Sequence, residues 1–213
     1  MKCNLLDLNK KLSRGWFAVR TVSKELNLCL TRSVYFALIE SHLRYGVCFW
    51  GTCSGYLFNS VFVLQKRAIR FICEAENRDS CGPLFLRHKI LTWASIFILE
   101  TVCLVKKKVG NRVFPYPLRN THSVTLPIPT SSLTRDSIFY NGRKLLNSLP
   151  ITIRQIQNFQ TFKREVRKRL VAKAYYSVDE FFADNFRKFY FVLSYLFCVC
   201  RPCNYCRVLF LFN

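Results

Sequence analysis

Three kinds of residue in this chain could do chemistry: thiols close enough to share a metal, carboxylates that could hold metal ions, and cations ranged along helices where they could hold phosphates. The thiols are Cys198, Cys200, Cys203 and Cys206, in CVCRPCNYC. Four thiolates can close a tetrahedral zinc site. Structural zinc sites usually set two ligand pairs on separated elements, however, whereas these four fall inside one nine-residue run. The histidines His42, His88 and His122 are at ligand spacing neither from one another nor from a cysteine pair, and read as structural. No cofactor is expected, with zinc at the tail cysteines as the alternative.

Metal-assisted phosphoryl transfer needs paired carboxylates that neutralise both the attacking and the leaving oxygen. The aspartates are Asp7, Asp79, Asp136, Asp179 and Asp184, none adjacent to another. The nearest acidic pair, Asp179-Glu180, opens an apolar stretch and reads as a helix-start signal. No serine nucleophile elbow, Walker loop or dinucleotide fingerprint occurs. Catalysis by this chain alone is not expected.

The cations carry the strongest signal. Thirty-three Lys and Arg stand against twelve Asp and Glu, a formal charge of +21. A compact domain bears such an excess only against self-repulsion, unless a polyanion or an anionic surface relieves it. The run from Phe159 to Tyr175 sets Phe159, Phe162, Val166, Leu170 and Ala174 on one helical face and Lys163, Arg164, Arg167, Lys168 and Lys173 over the rest. Cations so placed can neutralise phosphates and release counterions, giving salt-sensitive affinity with little sequence preference. The plainer alternative is a solvated helix face. Arg143 and Lys144, just after Gly142, add to the same patch if the two helices pack together. Lys66, Arg67 and Arg70 lie on the polar face of a helix expected over 58–75. Phe139 and Tyr140 could stack on bases, although core packing is the commoner use of such side chains.

The elements that would position these groups are mostly helices. Apolar residues recur at three- and four-residue steps from Leu5 to Lys108, as in Leu30, Val34 and Leu38, or Leu64, Ala68, Ile69 and Ile72. Thr31 can cap a helix starting near Arg32, and Gly46 or the Trp50-Gly51 pair ends it. Pro83 suits the first turn of a short helix. Trp93 to Lys107 supplies another, closed by the cations Lys106, Lys107 and Lys108. Pro115, Pro117, Pro127 and Pro129 then interrupt the chain, so extended loop or short strand is expected there. The resulting regions are 1–109, the Pro-rich 110–136, the basic 137–185, and an apolar, Cys-rich tail at 186–213.

Eleven cysteines are an odd number, and the opening MKCNLLDLNKK is polar, so the thiols read as reduced and the chain as intracellular, in nucleus or cytoplasm. Phe189 to Cys200 gives twelve consecutive uncharged residues, short of the roughly twenty a span needs. A membrane anchor at this aromatic C-terminus is the alternative to a nucleic-acid partner.

Three blocks, in this order, give the chain a family likeness: SVYFALIESHLRYGVCFWG (Ser33 to Gly51), LQKRAIRFI (Leu64 to Ile72) and YNGRKLLNSLP (Tyr140 to Pro150). Together they resemble the end of the reverse transcriptase of non-LTR (LINE-type) retrotransposons, of the Jockey- and CR1-like kind. KKLSRGWFAVRTVSKEL, Lys10 to Leu26, and the first block resemble the helical thumb that grips template and primer. AYYSVDEFF, Ala174 to Phe182, resembles the usual end of such proteins. The likeness implies a mainly α fold: a helical thumb-like bundle, then a Pro-rich loop and a smaller helical C-terminal region. It assigns backbone contacts with an RNA/DNA template–primer to Lys10, Lys11, Arg14, Arg20 and Lys24, and core packing to Phe49 and Trp50. It also implies a polymerase palm as partner in the full-length enzyme. The family's Tyr-x-Asp-Asp motif and endonuclease residues do not occur here. Some proteins of this type end in a Cys/His zinc knuckle, but the tail lacks the His, and beyond about residue 185 nothing matches. The expectation is a non-catalytic C-terminal fragment of an RNA-directed DNA polymerase that keeps nucleic-acid-binding surface.

Overall fold

Residues 2–50, 55–109, 124–126, 128–129, 131–135 and 137–184 are described by a computed structural model, and among them the structure is mainly helical, with no strand. In chain order the helices are α1 (Lys2–Val22), α2 (Leu28–Tyr35), α3 (Ser41–Arg44), α4 (Val47–Trp50), α5 (Gly55–Ile72), α6 (Cys81–His88) and α7 (Trp93–Val109). The Pro-rich stretch, expected as extended loop or short strand, closes instead with a short helix, α8 (Ser132–Arg135), and beyond it come α9 (Ile138–Asn147), α10 (Ile151–Arg154) and α11 (Phe159–Lys173), followed by helical residues at 178–184. One wide π turn, Phe36–Glu40, joins α2 to α3.

Short polar side chains set several of these starts by accepting from the otherwise unpaired N–H groups of a first turn. Asn158 Oδ1 accepts from the backbone of Gln160 and Thr161 at 2.9 and 3.1 Å, opening α11. Ser137 does the same for α9 through Tyr140 N. The cap of α2 is Asn27, accepting from Leu30 N at 3.0 Å, rather than Thr31. Thr31 lies inside the helix, buried, with its hydroxyl donating to Asn27 O. Gly46, at φ 67°, ends the segment after α3, as its position in the sequence suggests.

The apolar stripe Leu30, Val34, Leu38 is not the buried face of α2. Leu30 and Leu38 are exposed, and the core takes Thr31, Tyr35, Ile39 and Leu43 instead. Tyr35 can be fully buried because its hydroxyl accepts from Gln65 Nε2 at 3.0 Å, and the same amide reaches Leu91 O at 2.8 Å. Buried polar partners therefore hide this face from an apolar periodicity.

The core is organised on α7, whose residues from Trp93 to Leu99 are all buried, as a helix apolar on every side must be. Helices α3, α4, α9 and α11 pack on it, while α1 packs chiefly on α5 and the π turn. One continuous apolar cluster runs from Leu8 to Phe181, so the helices on both sides of the Pro-rich stretch share a core.

Two glycines permit the closest approaches. A Cβ on Gly15 would stand 3.0 Å from Leu38 O in the π turn, and one on Gly142 only 2.4 Å from Val105 Cγ2 on α7. Asn147, from the third block, exchanges two 2.8 Å hydrogen bonds with the backbone of Val124 and so ties the middle of the Pro-rich stretch to α9.

Candidate nucleic-acid interface

Helix α1 turns Leu8, Leu12, Gly15 and Val19 inward. At 100° per residue, the opposite ridge carries Lys10, Arg14, Phe17 and Thr21, all exposed, with Lys11 beside it and Lys24 in the turn that follows. Lys10 lies 4.0 Å from Asp7, but both side chains are well exposed and such a pair adds almost nothing. Arg20 is held differently. Its guanidinium carbon stands 5.8 Å from the Trp16 ring centroid and 5.5 Å from that of Phe71 on α5, and these rings meet edge to face. Arg20 is therefore exposed yet oriented, at the seam between α1 and α5.

On α5 the three expected cations divide. Arg67 is exposed. Arg70 donates through Nε and Nη2 to Asp79 O, closing the turn before α6, and Lys66 lies over the Phe62 ring at 4.7 Å with Tyr176 beyond. Lys66 and Arg70 thus hold the fold together at this end.

Beyond the Pro-rich stretch, α9 and α11 each pack on α7. Arg143 Nη1 donates to Thr125 O, and Lys144 lies 4.7 Å from the Phe182 ring, so both are turned to intramolecular contacts. On α11 the inward residues are Phe162, Val166 and Leu170; Lys163, Arg164, Arg167 and Lys168 range over the other side, Arg164 and Lys168 exposed and Lys163 and Arg167 partly so. Lys173, at the helix end, is 3.5 Å from Asp184, which also accepts from the Tyr175 hydroxyl. The cations of α1 and of α11 thus sit on helices with different main packing partners, α5 for the first and α7 for the second.

The three lysines closing α7 have jobs that only the packing reveals. Lys106, Lys107 and Lys108 stand over Phe162, Phe159 and Phe139, at 5.3, 4.7 and 4.6 Å. Lys106 also donates to Arg154 O at 2.7 Å, and its burial holds its pKa below the ordinary lysine range. Phe139 therefore meets a cation, which leaves its stacking face partly covered.

A buried ionic group was not legible in the sequence. Glu40, in the π turn and almost fully buried, accepts at Oε1 from Arg44 Nε and Nη2 at 2.9 and 2.7 Å, and Arg44 Nη1 bonds Glu100 on α7. An i, i+4 pair of opposite charge was the available signal, but such pairs usually lie on the surface.

One cleft, of about 240 Å3, opens between the α1–α2 turn, the end of α5 and α6, with Thr31, Cys73, Glu74, Arg87 and His88 in its lining. Burial pushes the Cys73 thiol up to about 11 and, together with Arg87 and Arg32, holds His88 below the ordinary histidine value. A thiol that burial keeps protonated is not an activated nucleophile. Among the described residues no cluster of three or more His, Cys, Asp or Glu side chains is placed to hold a metal ion. Asp179-Glu180 lies in the helical stretch 178–184, where Ser177 Oγ accepts from Glu180 N and Glu180 reaches back to Tyr176 N, a capping arrangement.

Cys198, Cys200, Cys203 and Cys206, the uncharged run Phe189 to Cys200, His122, and the side chains of Phe49 and Trp50 lie outside the described residues. Among those that are described, no single helix is long and apolar enough to cross a membrane; α6 and α7 would do so only as a pair bent by 49°, and α7 is the core helix.

Comparison with protein-family models, with curated proteins and with solved structures finds no match for the chain.

Proposed function

We propose that this chain is the helical region following the polymerase core of a non-LTR retrotransposon reverse transcriptase, and that it holds template and primer by their phosphates without performing the chemistry. In this reading α1 to α7 form the thumb-like part, 110–136 the Pro-rich connection and 137–185 the smaller basic region. The palm of the full-length enzyme is its protein partner, and its setting is inside the cell.

Three ordered sequence blocks support the family reading. The nucleic-acid part rests on one observation: Lys10, Lys11, Arg14, Arg67, Arg164 and Lys168 are exposed cations on helices whose opposite faces are core. Intramolecular charge does not explain them, since the ion pairs they make are long surface ones, Lys10 with Asp7 at 4.0 Å and Arg164 with Glu165 at 3.7 Å.

The test is the affinity of the full chain for a fluorescent RNA/DNA hybrid between about 50 and 200 mM salt, the range over which phosphate binders lose several decades. Binding is expected to fall steeply with salt. Charge reversal at Lys163, Arg164, Arg167 and Lys168 together should make the log–log slope shallower by about 0.9 for each phosphate contact removed. Affinity that does not change with salt, or no binding at all, overturns the proposal. An unchanged slope in the variant removes α11 from the interface and leaves the α1 face to carry the contacts.

A further inference from the structure

We infer that Phe17 is a stacking platform for an unpaired base, and that the α1 face therefore takes single-stranded nucleic acid in preference to duplex. This rests on the nucleic-acid reading above and goes beyond it, because phosphate contacts alone do not distinguish the two.

Phe17 is 63% exposed, on the ridge of α1 that faces away from the core. Its neighbours on that helix are Arg14 and Arg20, one turn to either side, with Lys10 a further turn before and Lys24 in the turn that follows the helix. At ~1.5 Å per residue the two arginines bracket the ring at about 4.5 Å along the axis, and Lys10 lies about 10.5 Å before it. Exposed Tyr45 has no such setting: its neighbour Arg44 is spent on Glu40 and Glu100.

A phenyl ring left in water is unfavourable, and a duplex gives it little in return, because the flat faces of its bases are stacked on each other and its outer surface is phosphate. An unpaired strand offers both: a base face for the ring and phosphates for the exposed Arg14 and Lys10, while Arg20 stays seated over Trp16 and Phe71. The charge complementarity is one-sided. From residue 7 to residue 25 the cations are Lys10, Lys11, Arg14, Arg20 and Lys24, and the acids only Asp7 and Glu25. A second copy of this chain would present the same sign and be repelled.

The experiment measures dissociation constants of the full chain for a 20-mer of oligodeoxythymidylate and for its duplex with oligodeoxyadenylate, at one salt concentration. Phe17 is on the surface, so Phe17→Ala leaves the core intact. It should weaken the single-strand complex by about 5- to 150-fold, the equivalent of one lost base stack, and change the duplex complex by less than about twofold. Phe17→Trp should restore single-strand binding. Equal losses on both probes, or none on the single strand, overturn the inference. So does loss of binding to vesicles of anionic lipid while oligothymidylate binding is kept. A Lys10→Glu, Lys11→Glu, Arg14→Glu variant separates the two claims. If it loses both probes while Phe17→Ala loses neither, the stacking role fails and the phosphate reading stands; if it binds both as well as the wild type, the α1 face is not the interface and both fail there.

Discussion

Gly142 of α9 lies directly over Val105 of α7: a methyl group added at the glycine would come within 2.4 Å of Val105 Cγ2 and 3.0 Å of Thr101 Cγ2. Both obstacles belong to β-branched side chains on a buried helix, whose rotamers are confined. Gly142→Ala should therefore push α9 off α7 and cost about 1–3 kcal/mol, read as a lower denaturant midpoint at unchanged slope. The helix-propensity gain of alanine, roughly 1 kcal/mol, opposes this and sets the lower limit. Thr101 tightens the constraint; Val105→Ala should relieve much of the cost when combined with Gly142→Ala, and independence of the two substitutions would show that the contact does not limit the packing.

Glu40 depends on Arg44. Its carboxylate is almost fully buried, and removing the guanidinium strands a charge away from water. Arg44→Met is expected to destabilise the fold by about 3 kcal/mol, near the low end for a broken buried pair because Arg44 and Glu100 keep about a quarter of their side-chain surface in solvent. Adding Glu40→Gln should recover part of the loss, and a double variant no more stable than Arg44→Met would argue that the pair is not coupled.

Alkaline pH should weaken the fold through its thiols. Burial pushes Cys73 and Cys103 each up to about 11, against an ordinary value near 9. Below pH 9 both are protonated whether the chain is folded or not, and their contribution is fully present. Between about 9 and 11 the unfolded chain loses protons that the folded chain keeps, so stability falls as pH rises. Buried Tyr35 and Tyr175, also raised by burial, act in the same direction at the upper end of this window. Urea midpoints at pH 8, 9.5 and 10.5 should decline, and less so in a Cys73→Ala, Cys103→Ala variant; a flat profile would contradict the burial of these groups.

Asn147 anchors the middle of the Pro-rich stretch at Val124. Asn147→Ala removes two hydrogen bonds to the Val124 backbone and should cost about 1–3 kcal/mol. The local signature is faster hydrogen exchange at the Val124 amide, and unaltered exchange there would show that the segment is held by other contacts.

Much of the helical layout was legible in the sequence, because α7 and α11 carry their burial pattern in residue type alone. The positions of Lys163, Arg164, Arg167 and Lys168 opposite Phe162, Val166 and Leu170 follow from the 3.6-residue period and nothing more. The inward face of α2 did not follow. Apolar spacing favours Leu30, Val34 and Leu38, whereas the core takes Thr31, Tyr35 and Ile39, since Gln65 arrives from thirty residues away to satisfy the Tyr35 hydroxyl. Periodicity counts apolar side chains and is blind to a polar one whose partner lies elsewhere in the chain.

The same limit divides the cations. Charge, helix content and which residues share a face are local properties, and the amino-acid order determines them. Whether a given cation is open to a partner is decided only when helices meet: Lys66, Arg70, Arg143 and Lys144 are drawn to rings and carbonyls of other elements, while Lys10, Lys11, Arg14 and Arg67 stay in water. The physical reason is distance along the chain, because a side chain's helical phase is fixed by its near neighbours and its partner by packing between residues far apart in sequence.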